Sequence, residues 1–428
     1  MDEFDVVIIG AGPAGSSTAY RLAKEGFNVL FVERSNRPGS KNVFGGRIYS
    51  YPFPEIYPDF WKEAPIERYV TQENLVFMTE FNSVTMKFDS SSADGVSTQS
   101  FTALREKFDT WMAKKAEEAG ALLITGTRVD DLYWENGKIA GIIAGPDMVR
   151  SNVVVAADGV VSDFAQKAGL RRELTAKEVS VAVKETIKLP KETIQDRFNL
   201  GKKEGAAYSF LGYATDYLRG GGFLYTNKDT LSLGAVVSSE DLSLQKKEIF
   251  EIIENLKLHP FIQKLVSGGT VVEYSAHMIP ELGVNTLPSL FKDNFLAVGD
   301  AAAMVINHGY TYRGVDLAVV SGISAAEAII QARQKGDYSH MGLSAYPDFL
   351  KKRGIMNDMV KFKNTPYFLQ NPRIFTAYPR MVCDFFDRMY TVDGQGKEKI
   401  FDIGKDEMFG KVSVLNMLRD MMSGLRSM

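Results

Sequence analysis

A mixed α/β (α+β overall) fold is predicted by three features of the 428-residue sequence: a buried parallel sheet, an antiparallel sheet beside it and a helical C-terminal region. The chain opens with an apolar run that ends in a glycine-rich turn, FDVVIIGAGPAGSSTAYRLAKEGFNVLFVER. Between residues 170 and 285 the pattern changes to apolar/polar alternation of antiparallel type. From Ser344 onward the sequence is aromatic, Met-rich and helical in its spacing.

In the opening segment Val6 to Ile9 reads as a buried strand, Ser16 to Lys24 as a helix and Val29 to Val32 as a second strand that ends at Glu33. Gly10, Gly12 and Gly15 form G-x-G-x-x-G between the first strand and the helix, the βαβ dinucleotide fingerprint in its required context. Gly10 permits the tight turn, Gly12 lets a pyrophosphate approach the backbone, and Gly15 lets helix and strand pack closely. The N–H groups and partial positive charge at the helix start then hold phosphate. Glu33 stands where a carboxylate accepts hydrogen bonds from a ribose diol.

Composition narrows the class. A formal charge of -3 gives no strong basic field, which argues against nucleic acid as a partner. Cys383 is the single cysteine, so the chain forms no internal disulfide and cannot by itself ligate an iron–sulfur cluster, which needs about four thiolates. Four histidines without a His-Glu-x-x-His or Cys-x-x-Cys pattern argue against an intrinsic metal site. The first strand begins almost at Met1, and no apolar run is seen to approach the ~18 residues of a membrane span. The longest candidate, Phe295 to Ile306, is interrupted by Asp300. A cytoplasmic protein is expected, with any membrane contact peripheral.

Further along, Lys41, Asn42, Gly45, Gly46 and Arg47 read as a loop. Short strands are expected near 75–78 and 84–88, and Ser90 to Ser100 as a Ser-rich surface turn. Phe101 to Gly120 contains a helix, and Leu122 to Thr125 the next strand. Asn136-Gly137 marks a hairpin between strands 130–134 and 138–144. Strands are predicted over 179–189, 221–226 and 230–237, with a helix over 244–258. Two strand ends stand out. VVVAADG stops at Asp158-Gly159, read either as a ligand-facing strand end or as a plain turn. FLAVGDAAAMVINHGYTYRGVDLA places Gly299-Asp300 at a strand's carboxyl end, where ligands bind in open α/β sheets and where Asp300 can accept hydrogen bonds from ribityl hydroxyls. The rival role for Asp300 is a helix cap. An Ala-rich helix is expected over 314–334.

Taken in order, these motifs resemble the FAD-containing hydroxylase and reductase superfamily of the glutathione-reductase-like type, with a Rossmann-like FAD-binding domain. Several stretches resemble, more narrowly, the electron-transfer-flavoprotein:quinone oxidoreductases of the FixC type: KNVFGGRIYS, RGGGFLYTNKDTLSLG, VEYSAHMIPELG, GDAAAMVINHGYTYRGVDLA and NPRIFTAYPRMVCDFFDRMYTVDG. The resemblance runs over essentially the whole chain. It implies FAD as cofactor. Gly10, Gly12, Pro13, Ala14, Gly15, Glu33 and Arg34 would bind the ADP half, and Lys41, Asn42, Gly46 and Arg47 would lie near the flavin. Arg105 and Val129 would reach the FAD, Asp158 and Gly159 form a second fingerprint, and Gly299 and Asp300 a third. Gly309, Tyr310 and Thr311 would lie along the pyrimidine side of the isoalloxazine. Arg105 has a second reading, an ion pair with Asp109 at i,i+4.

The resemblance further implies a domain plan: an FAD-binding domain of residues 1–50, 101–169 and 286–343, a substrate or quinone domain of 51–100 and 170–285, and a partner- or membrane-facing helical region of 344–428. Its activity would be electron transfer from an electron-transfer flavoprotein, alpha and beta subunits, to a quinone. The setting implied is a FixABCX-like bifurcating complex with NADH as donor and ferredoxin as second acceptor. Larger members carry a four-iron–four-sulfur centre on cysteines that this chain lacks, so a separate small ferredoxin-like subunit is expected. No catalytic acid or base is assigned. His308 reads either as a proton donor beside the flavin or as a structural residue, and 411–426 as a membrane-surface helix, a docking face or core packing. The rival readings are a geranylgeranyl-reductase-like flavoprotein, an FAD monooxygenase, and a flavin-holding scaffold without catalysis.

Overall fold

Strand Asp2–Ile9 lies at the centre of the first sheet, paired in parallel with Val29–Glu33 on one side and Asp147–Ala156 on the other. The computed structural model describes residues 2–40, 46–90, 98–281, 287–394 and 396–428. Val7 aligns with Leu30 and Val154, and all three are buried. Burial on both faces is why these strands read as continuous apolar runs without alternation. Leu122–Thr125 extends the sheet past Val29–Glu33, and Phe295–Ala297 extends it past Asp147–Ala156, both in parallel. The hairpin Asp131–Glu135/Lys138–Ala144 turns through Asn136 and Gly137 at φ 51° and 76°, the left-handed pair that an Asn-Gly turn supplies.

Helix Pro13–Lys24 packs against both Arg105–Glu118 and Val315–Lys335. Gly322 permits the second crossing, since a Cβ there would sit 2.4 Å from the Ala14 carbonyl oxygen. Val315–Lys335 is long and apolar enough to cross a membrane by length and composition, which corrects the expectation that no segment approaches that length. Most of it is buried against the sheet, so its apolarity serves the core.

The second sheet runs in the order Thr270–Pro280, Val179–Lys188, Thr230–Ser238, Gly220–Thr226, Glu204–Gly212, Arg68–Met78, Ser100–Thr102, Arg47–Tyr49. Its pairings are antiparallel except that of Glu204–Gly212 with Arg68–Met78. Arg47–Tyr49 joins this sheet although the strand before it in sequence, Val29–Glu33, belongs to the first. The helix expected over 244–258 is two helices, Ser239–Gln245 and Ile249–Leu258. The first ends at Lys246, which takes φ 52°. The Ser-rich turn at 90–100 falls largely outside the described residues. The C-terminal region contains the helices Ala377–Tyr390, Ile400–Lys411 and Val414–Ser427.

Candidate active site

At the carboxyl end of the first sheet the glycines divide by role. Gly10, at φ 109°, would place a Cβ 2.4 Å from the Ala157 carbonyl oxygen, and Gly15 would place one 1.9 Å from that of Gly10. These two hold the turn together. A Cβ on Gly12 meets nothing within 4 Å, because the residue faces an open groove. No side chain caps the helix that begins there, so its first-turn N–H groups are left for an anion.

The groove has a volume of about 620 Å³. Pro13, Ala14, Arg34 and Val129 line it near the glycine turn. Glu33 stands at its rim, where its carboxylate accepts from the Ala11 N–H at 3.1 Å and the Ser35 N–H at 2.9 Å. That grip fixes the carboxylate and ties the glycine loop to the second strand. Arg105 also lines the groove, yet its Nε and one terminal nitrogen donate to Asp109 at 2.8 and 2.7 Å. The ion-pair reading is therefore present together with groove lining. Burial works against the Arg105 charge, and the Asp109 carboxylate outweighs it, holding the group protonated.

Asp158 lines the groove while accepting from the Ser162 hydroxyl at 2.9 Å and the Phe164 N–H at 3.3 Å, at the start of helix Asp163–Lys167. Burial pushes its pKa up to about 6. Gly159, at φ 85°, leaves open space beside it. Gly299 takes φ 62° and begins a short turn that carries Asp300 into the groove. Among the described residues no group donates a hydrogen bond to the Asp300 carboxylate. Burial raises its pKa, against the pull of Arg105 and Arg171. A carboxylate in this position has acceptor capacity to spare for ligand hydroxyls.

At the other end of the groove Arg47 and Arg313 flank Tyr49, their guanidinium carbons 4.4 and 5.3 Å from its ring centre. Arg47 pairs with Glu73, and Arg313 donates to Asp316 at 2.6 Å. Gly46, just before, packs on Tyr225, whose ring would lie 2.6 Å from an added Cβ. Lys41 and Asn42 lie outside the described residues.

Gly309, Tyr310 and Thr311 do not line this groove. They form the turn between Ile306–Asn307 and Tyr312–Arg313 and face a second, larger cavity of about 1050 Å³. The Gly309 N–H is taken by Asn307 Oδ1 at 2.8 Å, and the His308 N–H by the Thr311 carbonyl at 2.9 Å. The hairpin thus uses the Gly309 N–H for its own turn. The His308 ring lines neither cavity. Its centre lies 4.2 Å from that of the Phe362 ring, both nitrogens are buried without a hydrogen-bond partner among the described residues, and burial lowers its pKa to about 4. A neutral imidazole packed in this way fits the structural reading.

The larger cavity lies between the second sheet and the C-terminal helices, with Phe210, Phe223, Phe368, Phe375, Met417 and Met421 among its walls. Tyr312 borders both cavities. The terminal helix Val414–Ser427 closes one side. Arg373 grips it by donating to both Asp420 oxygens at 2.7 Å, and Tyr378 donates to the same carboxylate at 2.5 Å. Leu415 and Leu425 on this helix stay exposed (77% and 75%), so core packing does not account for all of its apolar residues. Nothing in the residue spacing showed that Tyr312, Glu281 and the terminal helix share one cavity; only the nearness of GYTYRG to the Gly-Asp strand hinted at it.

An open glycine loop, an uncapped helix start, a fixed carboxylate at Glu33 and the groove-lining carboxylate of Asp300 fit an adenine dinucleotide with a hydroxylated chain, and the fold and site define an FAD-dependent oxidoreductase. A family model of the FAD binding domain matches residues 3–199, and one of the ETF-QO/FixC family C-terminal domain matches residues 365–428. The chain is 44% identical to "Protein FixC" of Escherichia coli K12 over 428 residues, covering 99% of each. It is 41% identical to "Probable electron transfer flavoprotein-quinone oxidoreductase YdiS" of the same organism, covering 99% and 98%. Among solved structures, a geranylgeranyl bacteriochlorophyll reductase-like protein of Thermoplasma acidophilum superposes with a TM-score of 0.74 at 21% identity, over 98% of this chain and 100% of that one. The flavin-dependent brominase Bmp2 superposes at 0.64 and 19%, over 100% of each. These two likenesses concern the fold alone. The chain belongs to the ETF-QO/FixC family and is a flavoprotein electron-transfer oxidoreductase with FAD as cofactor.

Proposed function

We propose that the protein takes electrons from an electron-transfer flavoprotein and passes them to a quinone bound in the larger cavity. One observation carries this reading: an apolar cavity large enough for a lipophilic ring shares the Tyr312 wall with the nucleotide groove. Bound FAD supplies chemistry that accepts an electron pair and releases it singly or together. The chain's own residues do the rest. The glycine loop and helix start would hold the pyrophosphate, Glu33 and Asp300 would orient hydroxyls, and Arg47 and Arg313, each paired with a carboxylate, would fix Tyr49 in the groove wall. The phenylalanines and methionines of the larger cavity exclude water from the acceptor.

The relatives' names, "FixC" and "electron transfer flavoprotein-quinone oxidoreductase", support both donor and acceptor. On the resemblance of the sequence to the FixC type, we further propose a FixABCX-like bifurcating complex, with NADH as donor, ferredoxin as the other acceptor and a small ferredoxin-like subunit carrying the cluster that one cysteine cannot hold. The nucleotide domain is read as glutathione-reductase-like, on the order of its three fingerprints. The site of action is read as cytoplasmic and peripheral to the membrane. The exposed Leu415 and Leu425, with Arg419 and Arg426 on the same helix, support contact with an anionic bilayer.

Stopped-flow reoxidation of the photoreduced holoprotein by a short-chain quinone tests the reading. Rapid, saturable reoxidation supports it; reoxidation no faster than that of free FAD refutes it. Flavin reduction by NADPH in the isolated chain would instead favour a monooxygenase.

A further inference from the structure

At the wall between the groove and the larger cavity, three segments separated in sequence bring a polar cluster to a cavity that is mostly apolar. Tyr312, from strand Tyr312–Arg313, donates its hydroxyl proton to Glu281 Oε1 at 2.5 Å. Ser180, from strand Val179–Lys188, donates to the same oxygen at 2.5 Å. The Glu281 backbone is pinned by its own N–H on the Glu178 carbonyl at 2.7 Å. All three side chains line the larger cavity, and Tyr312 alone of them also lines the groove. Such short bonds are typical of hydroxyls donating to an ionised carboxylate. Ordering a carboxylate in this way against an apolar cavity costs desolvation, and Glu281 remains only partly exposed. Among the described residues Glu281 meets no cation within ion-pair distance, and its side chain is held by these two hydroxyls.

We propose that Tyr312 is a catalytic proton donor to the acceptor in the larger cavity, and that Glu281, oriented by Ser180, is the positioning residue that reprotonates it. The inference rests on the reading of that cavity as the quinone site. Reducing a quinone to a quinol consumes two electrons and two protons. The electron pair comes from the reduced cofactor. As an O–H bond forms on the quinone carbonyl oxygen that faces this wall, the Tyr312 O–H bond breaks. Glu281 first takes a proton from solvent at its exposed side and passes it across the hydrogen bond to the phenol oxygen as Tyr312 gives up its own, so that no phenolate is left beside a carboxylate. The second quinone oxygen takes its proton from solvent, any proton the reduced cofactor sheds on reoxidation returns to solvent, and Tyr312 and Glu281 end unchanged.

The test uses FAD-loaded protein carrying Tyr312→Phe, which keeps the ring and removes the hydroxyl, with Glu281→Gln and Ser180→Ala beside it. Each photoreduced protein is reoxidised by a short-chain quinone and, separately, by ferricenium, which takes an electron and no proton. Positioned proton transfer contributes about a hundredfold or more, so the quinone-to-ferricenium rate ratio should fall at least about tenfold in Tyr312→Phe and Glu281→Gln. The solvent deuterium isotope effect on the quinone reaction should change with it. Affinity for an unreactive quinone analogue, measured by the shift of the flavin absorption band, should stay within about threefold, since the apolar contacts that bind it remain. An unchanged ratio in both variants overturns the proposal, as does a parallel fall with both oxidants, which marks a structural role. Failure of the unsubstituted protein to bind the analogue or to reduce quinone overturns the cavity assignment itself, and the proton path with it. If Tyr312→Phe loses its FAD, Glu281→Gln, which lies outside the groove, decides between the outcomes.

Discussion

Gly12→Val separates the glycine that serves the ligand from those that serve the fold. In Gly12 a Cβ enters open groove and the backbone is already in an ordinary extended conformation, φ -72° and ψ -176°. The substitution should therefore cost the folded protein only the weak preference against valine at a helix N-cap, about 1 kcal/mol. Pyrophosphate approaching the same backbone would lose at least two charge-assisted hydrogen bonds of about 1.5–3 kcal/mol each. The resulting penalty of at least about 3 kcal/mol weakens FAD binding more than a hundredfold. Gly15→Ala is the contrast, since its Cβ falls 1.9 Å from the Gly10 carbonyl oxygen and forces the turn apart. The assay is the flavin-to-protein absorbance ratio of the purified proteins, FAD titration by calorimetry, and thermal unfolding of the cofactor-free forms. Gly12→Val should melt near the parent and bind FAD poorly, whereas Gly15→Ala should melt well below it. A Gly12→Val protein that purifies fully yellow, or that loses stability as Gly15→Ala does, refutes the assignment of that open space to the pyrophosphate.

Arg105→Ala takes the guanidinium from a carboxylate with no exposed surface, so urea denaturation should show a loss of about 3–5 kcal/mol before any effect on FAD is considered. His308, with its pKa lowered to about 4 against 6.5, is neutral in the fold and protonated more readily when unfolded. Its contribution is present above pH 6.5 and lost as pH falls toward 4, by at most about 3 kcal/mol. His308→Phe should flatten that part of the stability–pH curve of the cofactor-free protein. Asp420, held down to about 2 first by the Arg373 hydrogen bonds, contributes stability above its ordinary pKa of 3.8 that is lost as pH falls through about 2. Asp420→Asn should speed hydrogen exchange in residues 414–427 at neutral pH while leaving the first sheet protected, and uniform exchange would show that the Arg373 grip does not hold the helix.

Much of the nucleotide half was legible in the sequence because its signals are local. Burial on both faces made continuous apolar strands, the glycine loop needs fixed spacing, and Asn136-Gly137 carries its turn in its own backbone preferences. The same locality set the limits. Val315–Lys335 has the composition of a spanning helix, and only its place against Pro13–Lys24 shows that the apolar surface is spent on the core. The break at Lys246 depends on one left-handed residue that the apolar spacing on either side does not reveal.

The sequence by itself determined the parallel sheet, the dinucleotide loop and the acid at the end of the second strand, since each is written in neighbouring residues. Tertiary structure alone decided that Arg105 lines the groove while paired with Asp109, and that the 309–311 turn faces a second cavity. It also brought Ser180, Glu281 and Tyr312 onto one oxygen. Hydrogen bonds between residues 31 and 101 positions apart depend on how strands and helices pack, and residue spacing along the chain carries no record of that.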